Sequence, residues 1–324
     1  MRRALARRVL EILLVAWLAA TATFVLAHLA PGDPFSAAYE NPSVTPAMRA
    51  RLRAQHGLDA PLGVQYVRWL SNAARGELGY SYSRHEPVTR SIARALPPTL
   101  LLLGVALVGS FGLGIALGAW QAARRGGVVD RVVGTFALAL SAVPDFWLAL
   151  VAMLAFAYWI PVFPTSGMIS AADYDYMTTT ERVVDRLRHL ALPAIVLSLL
   201  AAASIARFQR AALLESLHED YVRTARAKGL AERTVVLRHA LRNALGPVLA
   251  LVGLALPALA GGAVFVEKVF SWPGMGLLMI DAIGLRDYPL LLGAVLAGSV
   301  LVAAGSAVAD ALAAVADPRL RDAR

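Results

Sequence analysis

Apolar residues along this chain gather into six long stretches instead of alternating with polar ones. The first runs from Val9 to Ala30, and the others lie at about 97–120, 132–160, 190–206, 246–266 and 289–313. A hydrocarbon layer about 30 Å thick is crossed by roughly 20 residues at the helical rise, so runs of this length predict membrane spans. Backbone groups in lipid must bond within their own segment, which selects helices; the short alternating strands of a closed barrel are absent from the pattern. The expectation is an all-α membrane protein with six transmembrane helices. Pro97-Pro98, Pro144, Pro193 and Pro257 fall at or inside the runs, where neighbouring helices can re-satisfy the freed carbonyls. Gly104, Gly109, Gly112, Gly114 and Gly118 give the second run small-residue faces for close helix packing.

The polar connections are unequal. About 65 residues separate the first two runs and predict a helix from Pro46 to His56 and a second helical stretch around Val64 to Ala74. A loop near 161–188 follows the third run, and another over 267–288 contains Ser271-Trp272-Pro273-Gly274. That segment reads as a turn or re-entrant stretch, with Trp272 suited to the membrane interface. The domain expectation is a first helix with a large extracytoplasmic region over 1–95, then a five-helix core over 96–324 with a cytoplasmic loop at 207–243.

Composition agrees: 58% of residues are hydrophobic, 16% are charged, and there is no cysteine to support a disulfide, thiol nucleophile or cysteine metal site. The formal charge of +9 takes its meaning from its location. With the N-terminus in the cytoplasm, four basic residues fall in the leading tail, three in the 124–131 loop, eight in 207–243 and three in the trailing tail, which is 18 of the 31. The remaining 13 lie in outer segments that are longer in total, so the basic-residue bias places both termini inside. Positive charge in membrane-flanking loops also argues against a nucleic-acid footprint. Arg2, Arg3, Arg7 and Arg8 ahead of the first run resemble a secretory signal, but the run is about 22 residues and lacks a clear cleavage site, so it is expected to stay as a span.

The loop at 207–243 is the most informative segment. Glu219 and Asp220 open a short helix and Lys228 closes it, matching the helix dipole, and Gly229 supplies a left-handed end. Tyr221, Val222 and Ala225 share one side of it, while Leu237, Leu241, Ala244 and Leu245 form a stripe on a second helix leading into the fifth run. On physical grounds the loop either lies on anionic headgroups or docks a partner protein.

Thr224-Ala225-Arg226-Ala227-Lys228-Gly229-Leu230, followed by Arg238-His239-Ala240-Leu241-Arg242-Asn243-Ala244-Leu245 and Pro247, resembles the EAA loop of binding-protein-dependent ABC importer permeases. The version is that of the dipeptide/oligopeptide/nickel family. Further segments resemble the family in order and spacing: Pro31-Gly32-Asp33-Pro34, His56 to Leu62, Gln65-Tyr66 with Trp69-Leu70, and Gly76 to Ser81. Arg188-His189-Leu190, Phe270 to Gly274, Arg286 to Pro289 and Asp317 to Arg321 complete the series. Two departures are Arg223 at the position of the naming glutamate and Gly246 where a larger apolar residue is usual.

The resemblance implies a type I ABC importer permease fold in the bacterial inner membrane, paired with a homologous second permease, two ATPase subunits and an extracytoplasmic substrate-binding protein. It implies di- or oligopeptide cargo, with nickel, glutathione or a sugar as alternatives inside the family. It assigns ATPase coupling to Asp220, Tyr221, Val222, Thr224, Ala225, Ala227, Lys228, Gly229 and Leu230, and an outer gate to the Trp272-Pro273 segment. A rival of another class is a secondary transporter or channel.

No phosphate-binding loop of the Walker type occurs, since Lys228-Gly229 has the wrong order, so ATP and magnesium are expected on the partner ATPases and no cofactor on this chain. No histidine pair has metal-ligand spacing, and no catalytic constellation is assignable. Asp145, in the middle of the third run, has two readings. It borders the translocation route and favours cationic cargo, or it is a helix-kink carboxylate paired within the protein. Glu11 and Asp310 lie near span ends, where reaching the interface or pairing explains them.

Overall fold

The computed structural model describes residues 2–29, 45–55 and 59–316, so Pro31 to Pro34, His56 to Leu58 and the Asp317 to Arg321 motif lie outside the described residues, as does the side chain of Asp310. The chain is helical: α1 (Arg2–Leu29), α2 (Pro46–Gln55), α3 (Leu62–Ala74), α4 (Val88–Ala123), α5 (Val128–Ser141), α6 (Asp145–Met153, prolonged by a π-helical turn, Leu154–Trp159) and α7 (Thr179–Ser216). Then follow α8 (Asp220–Ala227), a short turn Glu232–Thr234 with a π-helical turn Val235–Ala240, α9 (Leu241–Leu249), α10 (Val252–Val269), α11 (Met275–Gly284) and α12 (Tyr288–Ala316). Among the described residues, five helices are long and apolar enough to cross a membrane: those containing Arg8–Leu29, Val88–Ala123, Thr179–Ser216, Val252–Val269 and Tyr288–Val308.

The third apolar run is not one straight span. α5 and the Asp145–Trp159 segment meet at 108°, and only if the pair counts as one crossing are there six. Pro144 causes the break: it is extended (ψ 140°) and caps α6, and proline disfavours helix at the residue before it. Each half is about 22 Å long by the helical rise, too short to cross alone.

Two more boundaries differ from expectation. α7 is 38 residues long, so 179–188, expected in a loop, and 207–216, expected in the basic loop, are both helical. A capping box starts it: Thr178 Oγ1 accepts from the Glu181 backbone N–H while Glu181 accepts from the Thr178 N–H. α4 begins at Val88, nine residues before Pro97, with both prolines inside the helix.

The chain divides into two compact units. The first comprises 1–99 and 273–303. Here α3 packs on α1 through the Gln65-Tyr66…Trp69 segment: Trp17 Nε1 donates to Tyr66 Oη at 2.9 Å, and Phe24 lies edge-on to the Tyr66 ring at 5.2 Å. Asp287 is fully buried and accepts from the Ser83 backbone N–H (2.9 Å), Ser83 Oγ (2.7 Å) and Ser81 Oγ, while its other oxygen takes the Leu290 N–H at the start of α12 (3.2 Å). The Gly76–Ser81 and Arg286–Pro289 motifs are thus pinned together. α11, ten mostly apolar residues inside the expected 267–288 loop, buries Met275, Leu278 and Ala282 against Val88, Ile92, Leu290 and Ala294.

The second unit comprises 100–272 and 304–324. Its largest core joins Leu102, Ala106, Ala149, Leu197, Leu259, Val266 and Trp272. Only three of the five glycines on α4 make the close contact expected of them. A Cβ at Gly109 would sit 2.4 Å from Ser198 Oγ, at Gly114 2.6 Å from Ile205, and at Gly118 2.4 Å from the Ala206 carbonyl oxygen; Gly104 and Gly112 face open space. α4 and α7 therefore approach to backbone contact.

Candidate functional site

The basic loop folds as a short helix clamped on three sides. α8 exposes Asp220, Arg223, Thr224, Ala227 and Lys228 and buries Val222 (0% exposed) and Ala225 (5%). Those two enter a cluster with Ala122, Leu213, Val235, Val236, Ala240 and Ala244. Tyr221, expected beside them, is part-exposed and reaches back instead: its hydroxyl bonds Ser216 Oγ at the end of α7, and Ser216 donates to the Ala240 carbonyl at 2.9 Å. Of the nine expected coupling residues, Val222 and Ala225 thus anchor the helix to its own chain and have no surface for a partner. The outward face is left to Thr224, Ala227, Lys228, Gly229 and Leu230, together with Asp220 and the edge of Tyr221.

The end of α8 is built by Gly229. Its φ is +77°, and the Leu230 N–H reaches back to the Ala225 carbonyl (3.4 Å), the six-to-one closure of a helix ended by a left-handed residue. A Cβ at Gly229 meets nothing within 4 Å, so a side chain there costs backbone strain and no clash. Gly229→Val is therefore expected to destabilise the loop by about 1–2 kcal/mol, and Gly229→Asn, which tolerates this region, by clearly less. Limited proteolysis between α8 and α9 ranks the two.

A third clamp crosses the turn. Arg226 Nη2 and Nε bond the two oxygens of Glu232 at 2.7 and 3.1 Å. Hydrogen bonding from Arg226 is the main cause that lowers the Glu232 carboxyl below its ordinary pKa. A carboxyl lowered on folding contributes above its unfolded pKa and loses that contribution as pH falls through the lowered range, so the clamp is complete at neutral pH. Among the other basic residues of 207–243, Arg210 is committed to Asp130 at 2.6 and 2.8 Å, tying α7 to α5, and Arg223 to Asp220 at 3.2 Å. The sequence gives no sign of the Arg210–Asp130 pair, which joins residues 80 apart.

Asp145 opens α6 at its N-terminal turn, where the helix dipole favours a carboxylate. Its side chain makes no hydrogen bond or ion pair among the described residues, so the reading of a paired kink carboxylate finds no partner there. It lines a cavity of about 330 Å³ with Leu197, Ser204, Phe208, Leu254 and Gly262, otherwise mostly apolar. Gly262 makes room for it, since a Cβ there would lie 2.7 Å from Asp145 Oδ2. Trp272 is fully buried in the core of the second unit, its backbone N–H donating to the Glu267 carbonyl at 2.8 Å, whereas Pro273 is exposed.

Apolar helices of spanning length, a broken span carrying an unpaired carboxylate, and a basic loop that presents an anchored helix define a polytopic membrane protein built for transport. The chain belongs to the family of binding-protein-dependent transport system inner membrane components, whose main part matches residues 114–322 and whose N-terminal part matches 1–103. It is 45% identical over 301 residues to a putative peptide permease protein of Brucella suis biovar 1, covering 92% of each chain. A di/tripeptide transport system permease protein of Pseudomonas aeruginosa is 41% identical over 93% of this chain and 94% of its own length. An oligopeptide transport system permease protein of Bacillus subtilis is 37% identical over 92% of each.

Proposed function

We propose that this chain forms half of the pathway of an ATP-driven importer of di- or oligopeptides and takes its motion from a separate ATPase through α8. The carrying observation is the division of α8 into an inner face locked to α7 and the 235–244 segment and an outer face open to another protein. A helix so held transmits displacement and needs no reactive group. ATP and magnesium then belong to the ATPase, a homologous permease supplies the other half of the path, and an extracytoplasmic binding protein delivers cargo. The basic-residue bias puts α8 and both termini in the cytoplasm. Nucleotide shifts the balance of states only by binding one of them better. The peptide cargo is supported by the names of the relatives, which are peptide permeases.

The absence of cysteine makes the test clean, because one introduced thiol is unique. With a short thiol-to-amine cross-linker, Leu230→Cys or Thr224→Cys in the assembled complex is expected to yield an adduct with the ATPase, and Val222→Cys none. No ATPase adduct from either outward position would sink the coupling assignment.

Asp145 is proposed to border the path. Asp145→Asn is expected to leave assembly intact and to lower uptake of lysine-containing peptides about tenfold relative to acidic ones, the worth of one charge-assisted contact. Equal effects on both cargo classes would remove it from the path.

A further inference from the structure

One groove in the second unit is assigned to none of these roles. It offers about 740 Å³ between the end of α4, the end of α7 and the segment from Arg226 to Leu241. That volume falls in the range that takes a drug-sized ligand. Along α4 its wall runs Ile115, Ala116, Ala119, Trp120, Ala122 and Ala123, an apolar length of about 12 Å by the helical rise, and ends at Arg125. Facing it are Leu214, Leu217, Val236, Leu237 and Leu241.

The charged groups of the cavity are Arg125, Arg226, Glu232 and Arg233, with His218 beside them. Glu232 is the one carboxylate, and Arg226 already holds it at 2.7 Å. Arg125 and Arg233 form no salt bridge among the described residues and both are exposed; Arg125 feels the Asp130 carboxylate, whose direct partner is Arg210. The cavity therefore carries net positive charge next to an apolar wall about 12 Å long. That wall belongs to a membrane helix, and its exposed Trp120 is of the type that settles at headgroup depth.

We propose that this groove binds one anionic phospholipid, with its phosphate between Arg125 and Arg233 and an acyl chain along the Ile115–Ala123 face of α4. Each half of the wall requires part of that ligand. A soluble anion leaves the apolar length unfilled, and a zwitterionic lipid brings no net charge to the arginines. Basic pockets beside membrane helices recognise acidic headgroups by this chemistry. Val236 lines the groove and also packs with Val222 and Ala225, so the lipid braces the base of α8. The inference requires only that the chain is embedded in a bilayer, and it stands or falls separately from the ATPase assignment.

The test is lipid retention by the purified full chain, in whatever complex it leaves the membrane, measured by native mass spectrometry with phosphatidylglycerol and phosphatidylcholine of the same acyl chains. Wild type is expected to prefer phosphatidylglycerol by about 30-fold, the preference that two interfacial arginines confer. The double variant Arg125→Gln/Arg233→Gln is expected to lose it, and Arg238→Gln/Arg242→Gln to keep it. Should the double variant fail to fold, brominated-chain phosphatidylglycerol is expected to quench wild-type emission more than brominated-chain phosphatidylcholine does, and Trp120→Phe to abolish that difference while the shared quenching of the other exposed tryptophans remains. Equal retention of the two lipids, a preference that survives the double variant, or full displacement by glycerol phosphate would overturn the proposal. So would occupation of the groove by a protein subunit that excludes lipid from the assembled complex.

Discussion

Val222→Asp is expected to abolish uptake while the membrane helices remain assembled. Val222 has no exposed surface and packs with the apolar side chains of Ala122, Leu213, Val235 and Ala240. Placing an unpaired charge there costs several kcal/mol, and the chain avoids the cost by releasing α8 into water. A penalty of about 3 kcal/mol lowers the docked population by roughly 100-fold. The rest of the second unit does not depend on this contact, because its main core lies elsewhere. The checks are uptake by cells, yield of the purified complex, and ATP hydrolysis uncoupled from cargo. Val222→Ile, which keeps the apolar anchor, is expected to retain most uptake. Full transport by Val222→Asp would show that motion does not pass through α8.

The second large effect is expected at Gly118. A Cβ there lies 2.4 Å from the Ala206 carbonyl oxygen, 2.7 Å from Gln209 Cβ and 3.0 Å from the Arg210 backbone nitrogen. Two of those atoms are main chain and cannot rotate away, so α4 and α7 must separate. Overpacking of this kind costs about 1–3 kcal/mol for one added methylene-sized group and more for a branched one. The separation also pulls on Arg210, whose guanidinium holds Asp130. Gly118→Val is expected to lower the thermal midpoint of the detergent-solubilised protein well below that of Gly112→Val, whose site faces open space. Equal midpoints would show that the α4–α7 contact is looser than described.

Hydropathy made the cores of α1, α4, α7, α10 and α12 legible, because crossing lipid demands a length of apolar sequence and little else. It misplaced their ends, which are set by local chemistry. The Thr178-x-x-Glu181 capping box marks the start of α7 and was available in the sequence, yet the polar residues around it read as loop. Pro97-Pro98 read as a boundary, while α4 carries both inside. The third run shows a deeper limit. Apolar content counts residues and says nothing of direction, so the 108° turn at Pro144 was hidden inside a continuous stretch. α11 went unseen for the converse reason: its ten residues, apolar but for Asp281, are too few to cross and read as part of a loop.

At the site, sequence located α8 and its glycine end, because dipole charges and a left-handed terminator are local signals. The apolar side of α8 was also legible, since Val222 and Ala225 share it, but what covers that side was not local: Ala122, Leu213 and Ala240 come from three separate segments. The burial of Trp272 was hidden on the same account: an indole suits a lipid-facing or a core position, and the surrounding Leu197, Leu259 and Val266 put it in the core.

α7 carries Pro193 inside its 38 residues. Proline offers no N–H, so the carbonyl of His189 loses its usual helical donor and the hydrogen-bond ladder is missing one rung. Elastic bending of a long helix concentrates where a rung is absent. The arm from Pro193 to Ser216 ends on the hydroxyl that ties Tyr221 to Ala240, so the far end of that arm sweeps through a larger arc than any point near the bend. A few degrees of flexure at Pro193 are thereby geared up into ångströms of travel at α8. Run in reverse, the same gearing turns a coarse pull on the loop into a fine adjustment at membrane depth.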